Sequence, residues 1–320
     1  MKYIVSSVLL LPLLCITSSS LQVAVIGTTG NIGRTAIQQL SEANISTKCL
    51  LRHDLDSTSP SATIATSLAK LPNVQMIKGD ISKPETLPAL IEGCDAILCL
   101  QGPPKPNPIK SMLPFLSNEN DTSHSRIVNY VGMQNVINAV KQYNPNMRIV
   151  RLTGKGEEPY SIFSILINML GNLAKAWNYE GEQLLRTSGV KYSIIRPGLL
   201  KSSEEYNIPP KAKMIRDNGG NMKVTPVTYD QIADVCIQSL NHENCNQCTL
   251  TVMNVEEAEG VDDYSTLLEK VENDKKGRFP DSLLDQHKMG ARIGFVATVA
   301  FLFGVLNTVK SVIGFLLGFI

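Results

Sequence analysis

Three observations predict an α/β fold built on a doubly wound, parallel sheet. Short apolar, β-rich runs recur along residues 21–255, amphipathic helical patterns separate them, and a glycine-rich turn joins the first run to the first helix. The first run, LQVAVIG, enters Gly27-Thr28-Thr29-Gly30-Asn31-Ile32-Gly33, and Arg34–Glu42 follows with Ala36, Ile37 and Leu40 on one face. Strand, glycine turn and helix in that order are the fingerprint of a dinucleotide-binding Rossmann unit. Gly27 permits the tight turn, Gly30 lets the backbone approach a pyrophosphate, and Gly33 lets the helix pack on the strand. Free N–H groups at the helix start then face the phosphates. A glycine-rich turn without a ligand is the plainer reading, but the flanking strand and helix favour the nucleotide.

The second strand, Thr47–Leu51, ends at Arg52. An acidic residue there would hold the ribose 2′-OH of NAD, whereas Arg accommodates the 2′-phosphate of NADP. The planar guanidinium suits a phosphate, and Arg34 at the helix start is placed to assist. Asp54 has the spacing of an NAD reader but falls beyond the strand end. NADP is therefore the expected cofactor, with NAD second; a surface Arg52 without a ligand is the alternative. Further strands are expected at Val74–Ile77, Ala96–Leu100, Arg148–Leu152 and Tyr192–Ile195, with helices over Val128–Tyr143 and Glu180–Gly189. The helix Thr228–Leu240 and the strand Cys248–Asn254 close the domain. The proline-rich loop after Gly102 reads as an irregular edge to the site.

These stretches carry a family resemblance. VAVIGTTGNIGR, LLRH, MIKGDISKPETLPALIEGCDAIL, VNYVGMQNVINAV, RIVRLTG, GEQLLRTSGVKYSIIRPGLL and VTYDQIADVCIQSL cover most of residues 21–255. Together the chain resembles the atypical short-chain dehydrogenase/reductase superfamily, in the NAD(P)-binding group that includes NmrA-like and biliverdin-reductase-B-like proteins. The resemblance implies that Asp80 and Ile81 sit beside the adenine. It implies that Leu100, Gln101 and Gly102 pass along the cofactor and that Pro197 and Gly198 line the nicotinamide end.

Catalytic members of that superfamily use a Tyr-x-x-x-Lys pair, in which the Lys lowers the Tyr pKa for proton transfer. Aligned on Glu182-Gln183-Leu184-Leu185 before Ser188-Gly189, the Tyr position falls on Ala174 and the Lys position on Asn178. The pair is missing; Lys175 and Tyr179 lie close by but in reversed order. Thr153 matches the Ser/Thr that hydrogen-bonds a substrate carbonyl and is the one catalytic candidate. Asn129 resembles the helix Asn of the superfamily, and each of the two also has a purely local reading. Hydride transfer is the cofactor's own chemistry, so the expected function is an NADP(H)-dependent oxidoreductase lacking the usual acid–base pair. The alternative is a catalytically silent NADP-binding scaffold or redox sensor at a membrane.

The ends differ from the body. Lys2 precedes an apolar run from Ile4 to Ile16 and then small polar residues, with Ser18 and Ser20 suited to a cleavage near Leu21. Residues 1–20 therefore read as a signal peptide, with a buried segment or an uncleaved anchor as alternatives. The sequons at Asn44 and Asn120 fit a secretory route, and a plastid reached through the endoplasmic reticulum is the second destination considered. A polar helix and linker are expected over residues 256–290, the helix at Val261–Asp274. A hydrophobic, membrane-associated helical segment is expected over 291–320. As one helix, Ile293–Ile320 would be roughly 42 Å long at ~1.5 Å per residue, longer than the ~30 Å hydrocarbon core. Asn307 and Lys310 interrupt it, so a short span, a hairpin, an interfacial helix and a soluble helix pair all fit.

The remaining signals exclude classes. With 30 Lys+Arg against 29 Asp+Glu and a net charge of +1, the chain has no field for a nucleic-acid backbone. His242, Cys245 and Cys248 form an H-x2-C-x2-C cluster, but structural zinc needs a fourth ligand. No metal is expected there; a Cys245–Cys248 disulfide or two ordinary thiols are the readings kept.

Overall fold

The computed structural model describes residues 21–104, 118–206, 212–220, 222–256 and 260–317. The leader expected at residues 1–20 and most of the proline-rich loop lie outside the described residues.

Eight strands form the main sheet: β1 (Gln22–Ile26), β2 (Ser46–Leu51), β3 (Val74–Lys78), β4 (Ala96–Cys99), β5 (Arg148–Leu152), β6 (Lys191–Pro197), β8 (Ala212–Asp217) and β10 (Cys248–Glu256). Their order is β3-β2-β1-β4-β5-β6-β10-β8. Every neighbouring pair is parallel except β10 with β8. A short parallel pair, β7 (Leu199–Lys201) with β9 (Pro226–Thr228), stands apart. The helices are α1 (Asn31–Glu42), α2 (Pro60–Leu68), α3 (Pro88–Ile91), α4 (Gly132–Tyr143), α5 (Ile162–Leu170), α6 (Ala174–Ser188), α7 (Tyr229–Gln238), α8 (Tyr264–Leu268) and α9 (Leu284–Leu317). A π-helical turn, Ile127–Val131, leads into α4.

Period-two alternation along β1 explains why the sheet is covered on both faces. Val23 and Val25 enter one buried cluster with Ala36 and Ile37 of α1 and Ile232 and Ala233 of α7. Ala24 and Ile26 enter the other, with Leu90 and Ile91 of α3 and Met133 and Val136 of α4. A strand buried on both faces reads as a continuous apolar run, as LQVAVIG does. The order runs outward from β1 to β3 and then crosses back to β4. The sheet is therefore doubly wound, and its switch point lies between β1 and β4, where such sheets open a crevice at the strands' carboxyl ends.

The structure departs from expectation toward the C-terminus. The polar helix expected over Val261–Asp274 shrinks to α8. Asp263 accepts hydrogen bonds from the backbone N–H of Ser265 and Thr266 and so caps α8, while Lys270 turns left-handed at φ 55° and returns the chain to the body. Val271, Phe279 and Leu283 are buried, so the expected linker is packed. The apolar tail is one helix rather than a hairpin and begins at Leu284, inside that linker stretch. Its first turns dock on α5 and α6: a Cβ at Gly294 would lie 2.3 Å from Ile165 Cγ2 and 2.6 Å from Met169 Sδ. Cys245 and Cys248 are buried free thiols, not a disulfide.

Candidate functional site

A cleft of about 520 Å³ opens at the carboxyl ends of β1, β2 and β4. Its floor is the turn after β1. Gly27 has φ 92°, and a Cβ there would meet Gln101 N at 2.6 Å and Leu100 C at 2.7 Å. Only glycine lets this turn press against the end of β4. The Gly30 N–H donates to the Gly27 carbonyl at 3.0 Å, and the Thr28 hydroxyl donates to the Leu50 carbonyl at 2.7 Å, tying the turn to β2. A Cβ at Gly33 would lie 2.0 Å from the Gly27 carbonyl oxygen, so α1 starts directly upon the turn. No side chain caps α1 and its first turn holds no acid. The helix start therefore offers free donors and a positive dipole end to an anion.

Gly27, Thr28, Thr29, Gly30, Asn31, Arg52, Asp80, Ile81, Leu100, Gln101 and Gly102 all line this cleft. Ile32 and Gly33 are buried beneath it. Asp54 is turned away: its carboxylate pairs with Lys78 at 2.5 Å, leaving Arg52 at the end of β2 facing the cleft. Asp80 is held in place, its carboxylate accepting from the Ser82 N–H at 2.8 Å and its N–H donating to Thr86 Oγ1 at 3.0 Å. The structure separates three of the expected residues from this group. Arg34 faces a second cleft of about 370 Å³ beside Tyr229 and Asp230. Pro197 ends β6 and Gly198 follows it, packed on Thr225, and neither lines the cleft.

Where the superfamily places its acid–base pair, this chain has a buried polar scaffold. Arg151 of β5 is enclosed and sequence reasoning passed it over. Its guanidinium donates to the Cys99 carbonyl (3.3 Å), the Gln101 carbonyl (3.0 Å), Asn129 Oδ1 (3.0 Å) and Asn178 Oδ1 (3.0 Å). One side chain thus joins the cofactor-side end of β4, the π-helical turn and α6. Asn178, at the Lys position, is spent on Arg151. The available signal was a charged residue inside a central parallel strand, which must find partners when buried.

A second knot lies beyond it. Glu182 is fully buried and pairs with Arg196 and with Arg186, the latter at 2.8 Å. Arg196 also pairs with Glu157 at 2.6 Å. The Arg186 guanidinium lies 3.9 Å from the Phe279 ring centre, with Asp274 at 3.4 Å. Burial alone would raise the Glu182 carboxyl, but Arg196 and Arg186 outweigh it and hold the group at about 2. The Thr153 hydroxyl donates to Glu182 Oε1 at 2.5 Å, so its one proton points into this knot rather than into the cleft. The Tyr179 hydroxyl donates to the Pro280 carbonyl at 2.6 Å, and burial pushes it up to about 12. The Lys175 amine donates to Ser164 Oγ at 2.9 Å, and burial lowers it to about 8. The reversed pair therefore serves two separate places, neither lining the cleft.

Comparison with known proteins decides the family. A model described as NAD(P)H-binding matches residues 27–243. The chain belongs to that NAD(P)H-binding family. That membership agrees with the family resemblance that the motifs carried. An NAD(P)H azoreductase of Xenophilus azovorans is 25% identical over 231 residues, which is 69% of this chain and 65% of that protein. The chain thus spans less than two thirds of the azoreductase's length. A chloroplastic protein of Arabidopsis thaliana is 22% identical over 229 residues, 69% of this chain and 72% of that one. Among solved structures, the oxidoreductase ylbE of Lactococcus lactis superposes with a TM-score of 0.54 at 15% identity, covering 78% of this chain and 95% of its own. That last likeness shows the fold alone.

Proposed function

We propose that this chain is an NADP(H)-dependent oxidoreductase that works without a protein-borne acid–base pair and is attached to a membrane through α9. The observation that carries the reading is the cleft itself: a turn that only glycine can make, an uncapped helix start, and Arg52 facing the cavity while Asp54 is paired elsewhere. These features fit a dinucleotide, with Arg52 toward a 2′-phosphate. When bound, the nicotinamide supplies the hydride. The chain's part is to hold it, orient it and keep water away.

The titratable side chains lining the cleft among the described residues are Arg52, His53 and Asp80, at the ends of β2 and β3. Any proton that an acceptor needs beyond the hydride then comes from water. That suits acceptors such as quinones, flavins or azo compounds better than simple carbonyls. Replacing Arg52 with Ala should weaken NADPH about 10- to 100-fold and NADH by less than about threefold, since only the former loses a charge-assisted phosphate contact. Equal losses in a fluorescence titration would refute the preference for NADP.

The second reading, a silent NADP-binding scaffold or redox sensor, is favoured by one observation: the Thr153 proton is committed to Glu182. NADPH oxidation measured against quinones, flavins, azo dyes and carbonyl compounds separates the two, because a scaffold binds NADPH and oxidises it with none of them. One helix among the described residues is long and apolar enough to cross a membrane, over Leu284–Ser311. This supports attachment, and carbonate extraction tests it. The secretory route follows from the leader, whereas the chloroplastic relative favours a plastid; fluorescent tagging of the full chain decides between them.

A further inference from the structure

We propose that α5 is a second, shallow membrane contact, lying in the lipid interface beside the root of α9. The inference rests on the reading of α9 as a membrane helix and extends it to a part of the catalytic body.

Helix α5 reads IFSILINML and carries no charge. Its inward face is fixed: Ser164 and Asn168 are fully buried, Met169 nearly so, and Asn168 Nδ2 lies 2.8 Å from His287 Nδ1 of α9. Its outward face is apolar: Ile162 is 78% and Phe163 58% exposed, with Leu166 and Leu170 following at helical spacing. Such a stripe on a soluble body calls for a covering.

What covers it is argued from α9. Between Ile293 and Val309 that helix has no charged residue, and from Val299 onward it is exposed on all sides: Phe301, Leu302, Phe303, Val305 and Leu306 are all outward. Three consecutive exposed positions lie on different faces of a helix, so no single groove on a protein could cover them; a helix apolar all round fits lipid. The last cations before the uncharged stretch are Lys288 and Arg292, where head groups would lie. Gly294 is the residue of α9 seated against Ile165 and Met169. Helix α5 is therefore level with the start of the uncharged stretch, at the depth where an interfacial helix rests. The Lys175 amine, 5.2 Å from the Phe163 ring centre, adds a cation at the same level.

The placement has a consequence for the cleft. The Ser125 hydroxyl donates to the Gly171 carbonyl at 2.7 Å, in the turn after α5, and Thr122 and Val128 on either side of Ser125 line the cleft. One edge of the cofactor cleft is thus tied to the helix that rests on lipid.

The test uses the full chain in vesicles of phosphatidylcholine and phosphatidylglycerol carrying brominated acyl chains. In a Trp177→Phe background, which removes the only Trp, Phe163→Trp and Phe303→Trp each report depth by quenching. Residue 163 should be quenched roughly twofold more by shallow than by deep bromines, and residue 303 should show the reverse. Quenching at 303 without quenching at 163 overturns the α5 contact and leaves the α9 anchor standing. Quenching at neither site overturns the membrane reading and the inference with it. Emission at 163 that is blue-shifted yet blind to bromines assigns α5 to a second copy or a protein partner. If Trp177→Phe does not fold, nitroxides on Phe163→Cys and Phe303→Cys give the same comparison through oxygen and nickel-chelate accessibility, because the described native cysteines are buried.

Discussion

Replacing Glu182 with Gln should lower folding stability by about 3–5 kcal/mol, the cost of removing one partner from a buried ion pair. Glu182 is fully buried between Arg196 and Arg186 and receives the Thr153 proton as well. A neutral amide of the same shape keeps the volume but leaves two guanidiniums with too little negative charge, and it cannot accept every hydrogen bond the carboxylate does. The effect has a pH signature. The folded carboxyl sits at about 2, below its ordinary 4.5, so the unfolded chain binds more protons over that interval. The stabilisation is complete above pH 4.5 and is lost as the pH falls toward 2. Urea unfolding at neutral and acid pH should therefore show a gap between parent and variant that narrows on acidification. A loss under about 1 kcal/mol at neutral pH would mean that the knot is no better than a surface pair.

The second large effect concerns the turn after β1. Gly27→Ala should weaken NADPH roughly 30- to 150-fold, about 2–3 kcal/mol, because the change strikes the backbone twice. An L-residue is strained at φ 92°, and the new methyl would meet Gln101 N and Leu100 C, which are main-chain atoms that cannot rotate aside. Either the turn shifts or the end of β4 does, and both line the cleft. Gly154→Ala is the control: nothing lies within 4 Å of the added methyl, and the residue does not line the cleft. Titration of NADPH fluorescence should separate the two variants, and equal affinities would argue that the turn does not hold the cofactor.

The sequence made some of this legible and hid the rest for physical reasons. The turn from Gly27 to Gly33 could be read because its function depends on residues adjacent in the chain, where a missing side chain is itself the signal. The buried strands could be read because two-sided burial leaves continuous apolar runs. Arg151 and the knot around Glu182 could not. Their partners come from β4, the π-helical turn before α4, α6, β6 and the stretch near Asp274, and periodicity reports which face a residue occupies but not what it meets there. Arg151 and Arg196, each inside an apolar strand, were the available hints. Helix α5 was not legible because an apolar run buried on one face and exposed but equally apolar on the other has little periodicity to detect. The antiparallel strand β8 was missed because its partner, β10, follows only after β9 and α7.

The cleft between β1 and β4 is proposed to hold a nicotinamide dinucleotide with a 2′-phosphate. Calorimetric titration of the full chain in detergent with NADPH and then NADH tests it most directly. Saturable, equimolar NADPH binding, clearly tighter than NADH binding, is the expected result. Saturation with neither nucleotide would contradict it.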